Sequence, residues 1–287
     1  MIEIAAEVRE ARAVVALETT LVAHGFPPGK GVAVGLESER AVREAGAVPA
    51  TIGVLDGTIR VGLTADELER FDANARKVGP RDLAATLVQN AVGATTVGGT
   101  LAICRTAGIR FMGTGGIGGV HRGYPHPPDV SADLGELART QIVVASAGIK
   151  SLLDVPATLE LLETLGVPVL GYRTDVLPLF YSATGGPPVP ARVDSAAEAA
   201  AVARTHWELD GAGVLLAQPP PASLDAEPLI EEALAEAKRR EVTGQAVTPF
   251  VLSFLHTRSD GQTLAVNREL VVANARLAAE VAVAWSS

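Results

Sequence analysis

Four short, nearly unbroken apolar runs constrain this chain more than any other feature. They lie at residues 14–19, 141–147, 168–172 and 213–217, and helical patterns separate them. Strands buried on both faces read this way, and strands alternating with helices stack as helix, sheet, helix. Helices are expected at 34–45, 64–75, 81–91, 96–106, 131–139, 152–165, 196–210, 225–240 and from about 264 to 285. A short strand at 109–112 leads into a glycine loop. Residues 50–61 alternate around Asp56-Gly57, a hairpin signal, so the sheet should be mixed rather than purely parallel. The expected fold class is therefore α/β, a three-layer α/β/α with a central mixed, mostly parallel sheet. With no fixed-period repeat and no Ser/Gly linker, residues 1–287 are expected to form a single α/β domain.

Hydrophobic residues make up 48% of the chain and charged residues 20%, which rules out disorder. A net charge of −9 without a basic run argues against a nucleic acid polymer or an anionic membrane as partner. Cys104 is the only cysteine, so no intramolecular disulfide or Cys-rich metal site can form. With no signal-like apolar segment in residues 1–12, a reducing, cytoplasmic location is expected. Of 24 basic residues only Lys30, Lys77, Lys150 and Lys238 are lysines. Arginine does not lose its proton, so a lysine in such a chain can mark a need for an amine.

Gly113-Thr-Gly-Gly-Ile-Gly118 spells a dinucleotide fingerprint, but that reading requires a helix next. The chain instead continues Gly119-Val-His-Arg-Gly-Tyr-Pro-His-Pro-Pro128, which cannot be helical. A bare-backbone loop approaching a ligand, with Thr114 and His121 at its edge, competes with a simple structural turn. In Asp129-Val-Ser-Ala-Asp133, Ser131 and Asp133 read first as a helix cap. Asp129 lies outside that cap and could hold a hard divalent cation. Lys150 follows a buried strand, where open α/β sheets place ligands. A desolvated amine there is a carbonyl-directed nucleophile, and a snorkelling lysine at a helix start is the alternative. Glu18, ending the first apolar run, is either a general acid of raised pKa or an exposed strand-end charge. His24, His206 and His256 are isolated and read as core or surface residues.

Together these segments make the chain resemble the pseudouridine-5′-phosphate glycosidase family, also called the indigoidine synthase A family. The resemblance is carried by Ala16-Leu-Glu-Thr-Thr20 with His24-Gly25, Gly46-Ala-Val-Pro-Ala-Thr-Ile52, Val61-Gly-Leu-Thr64, Lys77 with Arg81-Asp82-Leu83, and Gly93-Ala-Thr-Thr-Val97. It continues through Thr114-Gly-Gly-Ile-Gly-Gly-Val-His-Arg-Gly123, Asp129-Val-Ser-Ala-Asp-Leu134, Ala147-Gly-Ile-Lys-Ser-Leu-Leu-Asp154, Gly166-Val-Pro-Val-Leu-Gly-Tyr172 and Arg192-Val-Asp-Ser195. It implies reversible cleavage of the C–C glycosidic bond of pseudouridine 5′-phosphate to uracil and ribose 5-phosphate through a lysine imine. Glu18 matches the proton donor, Lys150 the nucleophile and Asp129 the ligand of a divalent metal, Mn²⁺. Lys77, Val97, Ser131, Ala132 and Asp133 match substrate-binding positions, Thr114 and His121 neighbours of the phosphate, and Asn267 a residue near the base. A homotrimer with one metal per subunit is implied. A sugar-phosphate or nucleotide binding protein without turnover, or another lysine-imine sugar-phosphate lyase, remains the alternative. The chain departs from the family in the proline-rich stretch 124–128, and in Gly98-Gly99, which are expected to weaken the helix they open by up to ~1 kcal/mol each.

Overall fold

The protein is described by a computed structural model covering residues 1–126 and 128–287. Its strands are β1 Ile2–Ile4, β2 Val14–Glu18, β3 Val48–Leu55, β4 Thr58–Val61, β5 Arg76–Val78, β6 Gly93–Thr95, β7 Phe111–Gly113, β8 Val120–His121, β9 Val143–Ser146, β10 Leu153–Asp154, β11 Val169–Tyr172, β12 Ala191–Val193 and β13 Val214–Ala217. One 11-stranded sheet runs β1-β4-β3-β2-β7-β9-β13-β11-β12, with β5 and β6 branching from β3. Its centre, β3-β2-β7-β9-β13-β11, is parallel throughout. Antiparallel pairing enters this sheet where β3 meets β4 and β6. The β3–β4 turn holds Asp56 at φ 51° and Gly57 at φ 70°, the two positive values that a tight hairpin of matching twist requires.

The helices are α1 Ala6–Glu10, α2 Thr20–His24, α3 Gly31–Glu44, α4 Ala65–Leu68, α5 Leu83–Val88, α6 Val97–Ala107, α7 Ala132–Leu137, α8 Val155–Thr164, α9 Ala196–Glu208, α10 Glu227–Arg239, α11 Val247–Arg258 and α12 Gln262–Ser286. Side chains alternate across the central strands, so each apolar run feeds two cores. Val15, Leu17, Val143, Ala145, Val214 and Leu216 join Val42, Ala203 and Ala278 from α3, α9 and α12. Ala16, Val144 and Leu215 face the other way, toward Leu101, Leu134, Leu162 and Ile230 of α6, α7, α8 and α10. The three-layer α/β/α arrangement follows directly. No helix among the described residues is long and apolar enough to cross a membrane.

Several expected elements differ from those observed. The helix read over 64–75 covers only Ala65–Leu68, although Thr64 and Glu67 form the anticipated capping box. Beyond it, Asp72 Oδ1 accepts the Asn74 amide at 2.8 Å, a local bond that competes with continued helix. Phe71 turns into the space beside Gly53, where a Cβ would lie 2.4 Å from its ring. The helix read over 81–91 is a 3₁₀ turn at Pro80–Asp82 followed by α5. The three-residue strands β1, β5, β6 and β12 are too short for alternation to show. In α11 the apolar residues are spread around the axis, and Pro249 sits in its first turn, where proline is tolerated. Of the proline-rich stretch 124–128, Pro127 lies outside the described residues.

Candidate active site

Because β2, β7 and β9 are parallel neighbours, their carboxyl ends open on one edge, where α/β sheets bind ligands. Glu18 is the last residue of β2, Thr114 follows β7, and the loop after β9 delivers Lys150. A cavity of about 710 Å³ opens there. Glu18, Lys77, Val97, Thr114, His121, Asp129, Ser131, Ala132, Asp133, Lys150 and Asn267, all singled out in the sequence, line it.

Glu18 is only 8% exposed, so it is no solvated strand-end charge. Burial pushes its carboxyl up from the usual range. The positive charge of Lys150, a hydrogen bond from Thr114 and the charge of Lys77 oppose that rise, while Asp133 adds to it. The Thr114 hydroxyl donates to Glu18 Oε1 at 2.5 Å. A carboxyl group with a raised pKa beside a cavity is equipped to act as a general acid.

Lys150 is not at a helix start. The next helix, α8, begins at Val155 and is capped by Asp154, whose Oδ1 accepts the Ala157 amide at 3.0 Å. The Lys150 amide instead donates to Ile117 O at 3.1 Å, tying the loop after β9 to the glycine loop. Arg122 donates to Ser151 O at 2.7 Å and to Leu153 O at 3.3 Å, holding the segment on the far side of the lysine. Gly148, at φ 81°, passes so close to Pro178 O that a Cβ would sit 2.4 Å from it.

The glycine loop is no dinucleotide fingerprint: it runs into the short strand β8 rather than a helix. Asp133 organises it. Its Oδ1 accepts the Gly98 amide and its Oδ2 the Gly118 amide, both at 2.7 Å. Ser131 caps α7 through the Asp133 amide at 3.2 Å, as the cap pattern predicts. Packing adds a second consideration to the expected weakness of Gly98 and Gly99. A Cβ on Gly98 would lie 3.0 Å from Asp133 Oδ1, and one on Gly99 2.3 Å from Val78 O. Glycine at 99 lets α6 come this close to the β5 backbone, while a side chain at 98 would need the Asp133 carboxylate to give by a few tenths of an ångström, so packing opposes propensity here.

Lys77, on β5, has its pKa lowered to about 8, first by burial and then by Lys150; Asp133 and Glu18 work the other way. His121 Nδ1 lies 3.8 Å from Asp129 Oδ2. Burial lowers the His121 pKa, with Asp129 opposing. The described residues contain no cluster of three or more His, Cys, Asp or Glu side chains that could enclose a metal. Asn267 donates to Gly25 O at 3.4 Å. Sequence reasoning placed His24 in the core or on the surface, yet it stands in the cavity wall with a buried Nδ1 that has no hydrogen-bond partner. It also missed Asn274, a fully buried amide behind the glycine loop. No short-range pattern marks Asn274.

The chain matches the family described as indigoidine synthase A like protein over residues 3–284. It is 46% identical to the pseudouridine-5′-phosphate glycosidase of Geobacillus kaustophilus, covering 98% of this chain and 96% of that one. It is 47% identical to the enzyme of the same name from a Nocardioides species, covering 98% and 94%. Among solved structures, the prealnumycin C-glycosynthase AlnA in complex with ribulose 5-phosphate superposes with a TM-score of 0.89 at 39% identity, covering 100% of this chain and 97% of that one. An indigoidine synthase A-like protein from Thermotoga maritima gives 0.91 at 36% identity, with the same coverage.

Proposed function

The chain belongs to the indigoidine synthase A-like family, and on that premise we propose that it is a pseudouridine-5′-phosphate glycosidase, reversibly cleaving its substrate to uracil and ribose 5-phosphate. The observation that carries the reading is the pairing of a buried Glu18, its pKa raised by desolvation, with Lys150 in the lining of one cavity at the carboxyl edge of the sheet.

Uracil bound through carbon is a poor leaving group, and a pair of carboxylates of the usual glycosidase kind does not address that. In the proposed sequence Glu18 gives its proton to the ribose ring oxygen as the Lys150 amine bonds to C1′ and the C1′–O4′ bond breaks. The resulting secondary ammonium returns a proton to the Glu18 carboxylate, which frees the nitrogen lone pair. That pair forms a cationic imine with C1′ as the C1′–C5 bond breaks, its electron pair passing to the uracil ring, and C5 takes up a proton from Glu18. Water adds to the imine, releasing ribose 5-phosphate and the free amine. Lys77 offsets phosphate charge, and the phosphate supplies binding energy remote from the reacting carbon.

Asp129 and His121 suit a divalent cation of the Mn²⁺ kind. A part-exposed carboxylate beside an imidazole would offer one oxygen and one nitrogen donor to such a cation. Such an ion, when bound, neutralises charge on the phosphate side. We further assign a homotrimer, a cytoplasmic setting and a single working unit of residues 1–287, in line with the family resemblance. Incubation with pseudouridine 5′-phosphate, followed by chromatography of the products, tests the reaction. Release of uracil and ribose 5-phosphate is expected; binding without release would refute it.

A further inference from the structure

Behind the site, α12 crosses the end of β7. Gly113 allows this, since a Cβ there would lie 2.7 Å from the Ala275 Cα. The close approach brings the Asn274 amide, which has no solvent exposure, against the start of the glycine loop. Its Nδ2 donates to Thr114 O at 2.7 Å and to Gly115 O at 3.3 Å. Its Oδ1 accepts from Gln218 Nε2 at 2.9 Å, which fixes which way the amide points. The Gln218 backbone N–H in turn donates to Ser146 O at 2.9 Å, at the end of β9. On the other side, the Thr114 amide donates to Ala145 O at 3.0 Å. Thr114 is therefore gripped at both its backbone polar groups, and its hydroxyl is left to point at Glu18.

We infer that Asn274 is a positioning residue for the reaction: by clamping the Thr114 and Gly115 carbonyls to α12, it holds the Thr114 hydroxyl on the Glu18 carboxyl. The inference rests on the reading of Glu18 as the acid. Buried polar groups are satisfied as a rule, and an amide with both ends bonded in a dry site sets direction as well as satisfying carbonyls. The charged groups facing Glu18 are Lys150 from the loop after β9, Lys77 from β5 and Asp133 from α7. None of them bonds to Asn274, so changing it leaves those charges in place.

The test is the pH dependence of kcat. A hydrogen bond donated to a carboxylate favours the charged form, so losing it raises the proton affinity of Glu18. Thr114→Val should move the alkaline limb of kcat upward by about one pH unit, and Thr114→Ser should restore it. Asn274→Leu, close in volume, should produce the same upward movement and lower kcat roughly tenfold, with KM changed far less. The double variant should shift no further than Thr114→Val alone. If Asn274→Leu does not fold, Gln218→Met decides by the same criterion, since it frees the outer end of the amide and should give a smaller shift in the same direction. If Thr114→Val moves the limb while the folded Asn274 or Gln218 variant keeps the wild-type limb, the positioning role is wrong and the role of Glu18 stands. If even Thr114→Val leaves the limb in place, Glu18 is not the acid, and both assignments fall.

Discussion

At the scale of single residues, burial acts on an acidic and a basic group of this site at once. Glu18 and Lys77 are both displaced from their ordinary pKa values by desolvation, in opposite directions. An acid with a raised pKa works only while protonated, so its contribution to kcat disappears as pH rises through that value. A lysine with a pKa lowered to about 8 is cationic below that pH and loses its hold on phosphate above it. With pseudouridine 5′-phosphate, kcat/KM should therefore fall as pH rises through about 8. Unphosphorylated pseudouridine should lack that limb, and Lys77→Arg should remove it. Lys77→Ala should cost roughly 10- to 150-fold in kcat/KM for the phosphorylated substrate, from about 1.5–3 kcal/mol for a hydrogen bond to a charged group. Steady-state kinetics across pH 6–10 would check both; equal efficiency with the unphosphorylated nucleoside would contradict them. Asp129 leads to a second expectation. Chelation should abolish turnover and Mn²⁺ restore it, whereas Asp129→Ala should stay folded with little activity that no longer responds to metal. Full activity of that variant after exhaustive chelation would rule the assignment out.

At the scale of elements, the long apolar strands were legible in the sequence because each is buried on both faces. Glu18 and Lys150 were legible because they sit at or just beyond the ends of such strands. What could not be read are elements whose reasons are tertiary. β5 and β6 have three residues each, and α11 distributes its apolar side chains around its axis. The Asn274 clamp joins residues 160 positions apart, so local spacing carries no trace of it. Gly98 and Gly99 show the same limit: propensity predicts that alanine would strengthen α6, and packing predicts the reverse. Gly99→Ala should lower stability by about 1–3 kcal/mol, because its methyl would have to displace Val78 O. Denaturant unfolding would read the sign directly. A stabilised variant would mean that β5 yields easily and that the close approach is incidental.

At the scale of the whole molecule, a parallel sheet collects strand ends on one edge, and strand ends and separate loops bring Glu18, Lys77, Asp129 and Lys150 to one cavity. The assembled enzyme should be a homotrimer; light scattering that gives a stable particle of about 29.5 kDa would refute that. The central claim is covalent: Lys150 carries the opened sugar. Incubating the intact protein with ribose 5-phosphate and borohydride should reduce the imine and add one sugar-phosphate mass per chain, recovered on the peptide containing Lys150. Lys150→Arg should take up no label and show no turnover, since a guanidinium cannot form such an imine. A label on Lys77, or near wild-type turnover by Lys150→Arg, would contradict the mechanism.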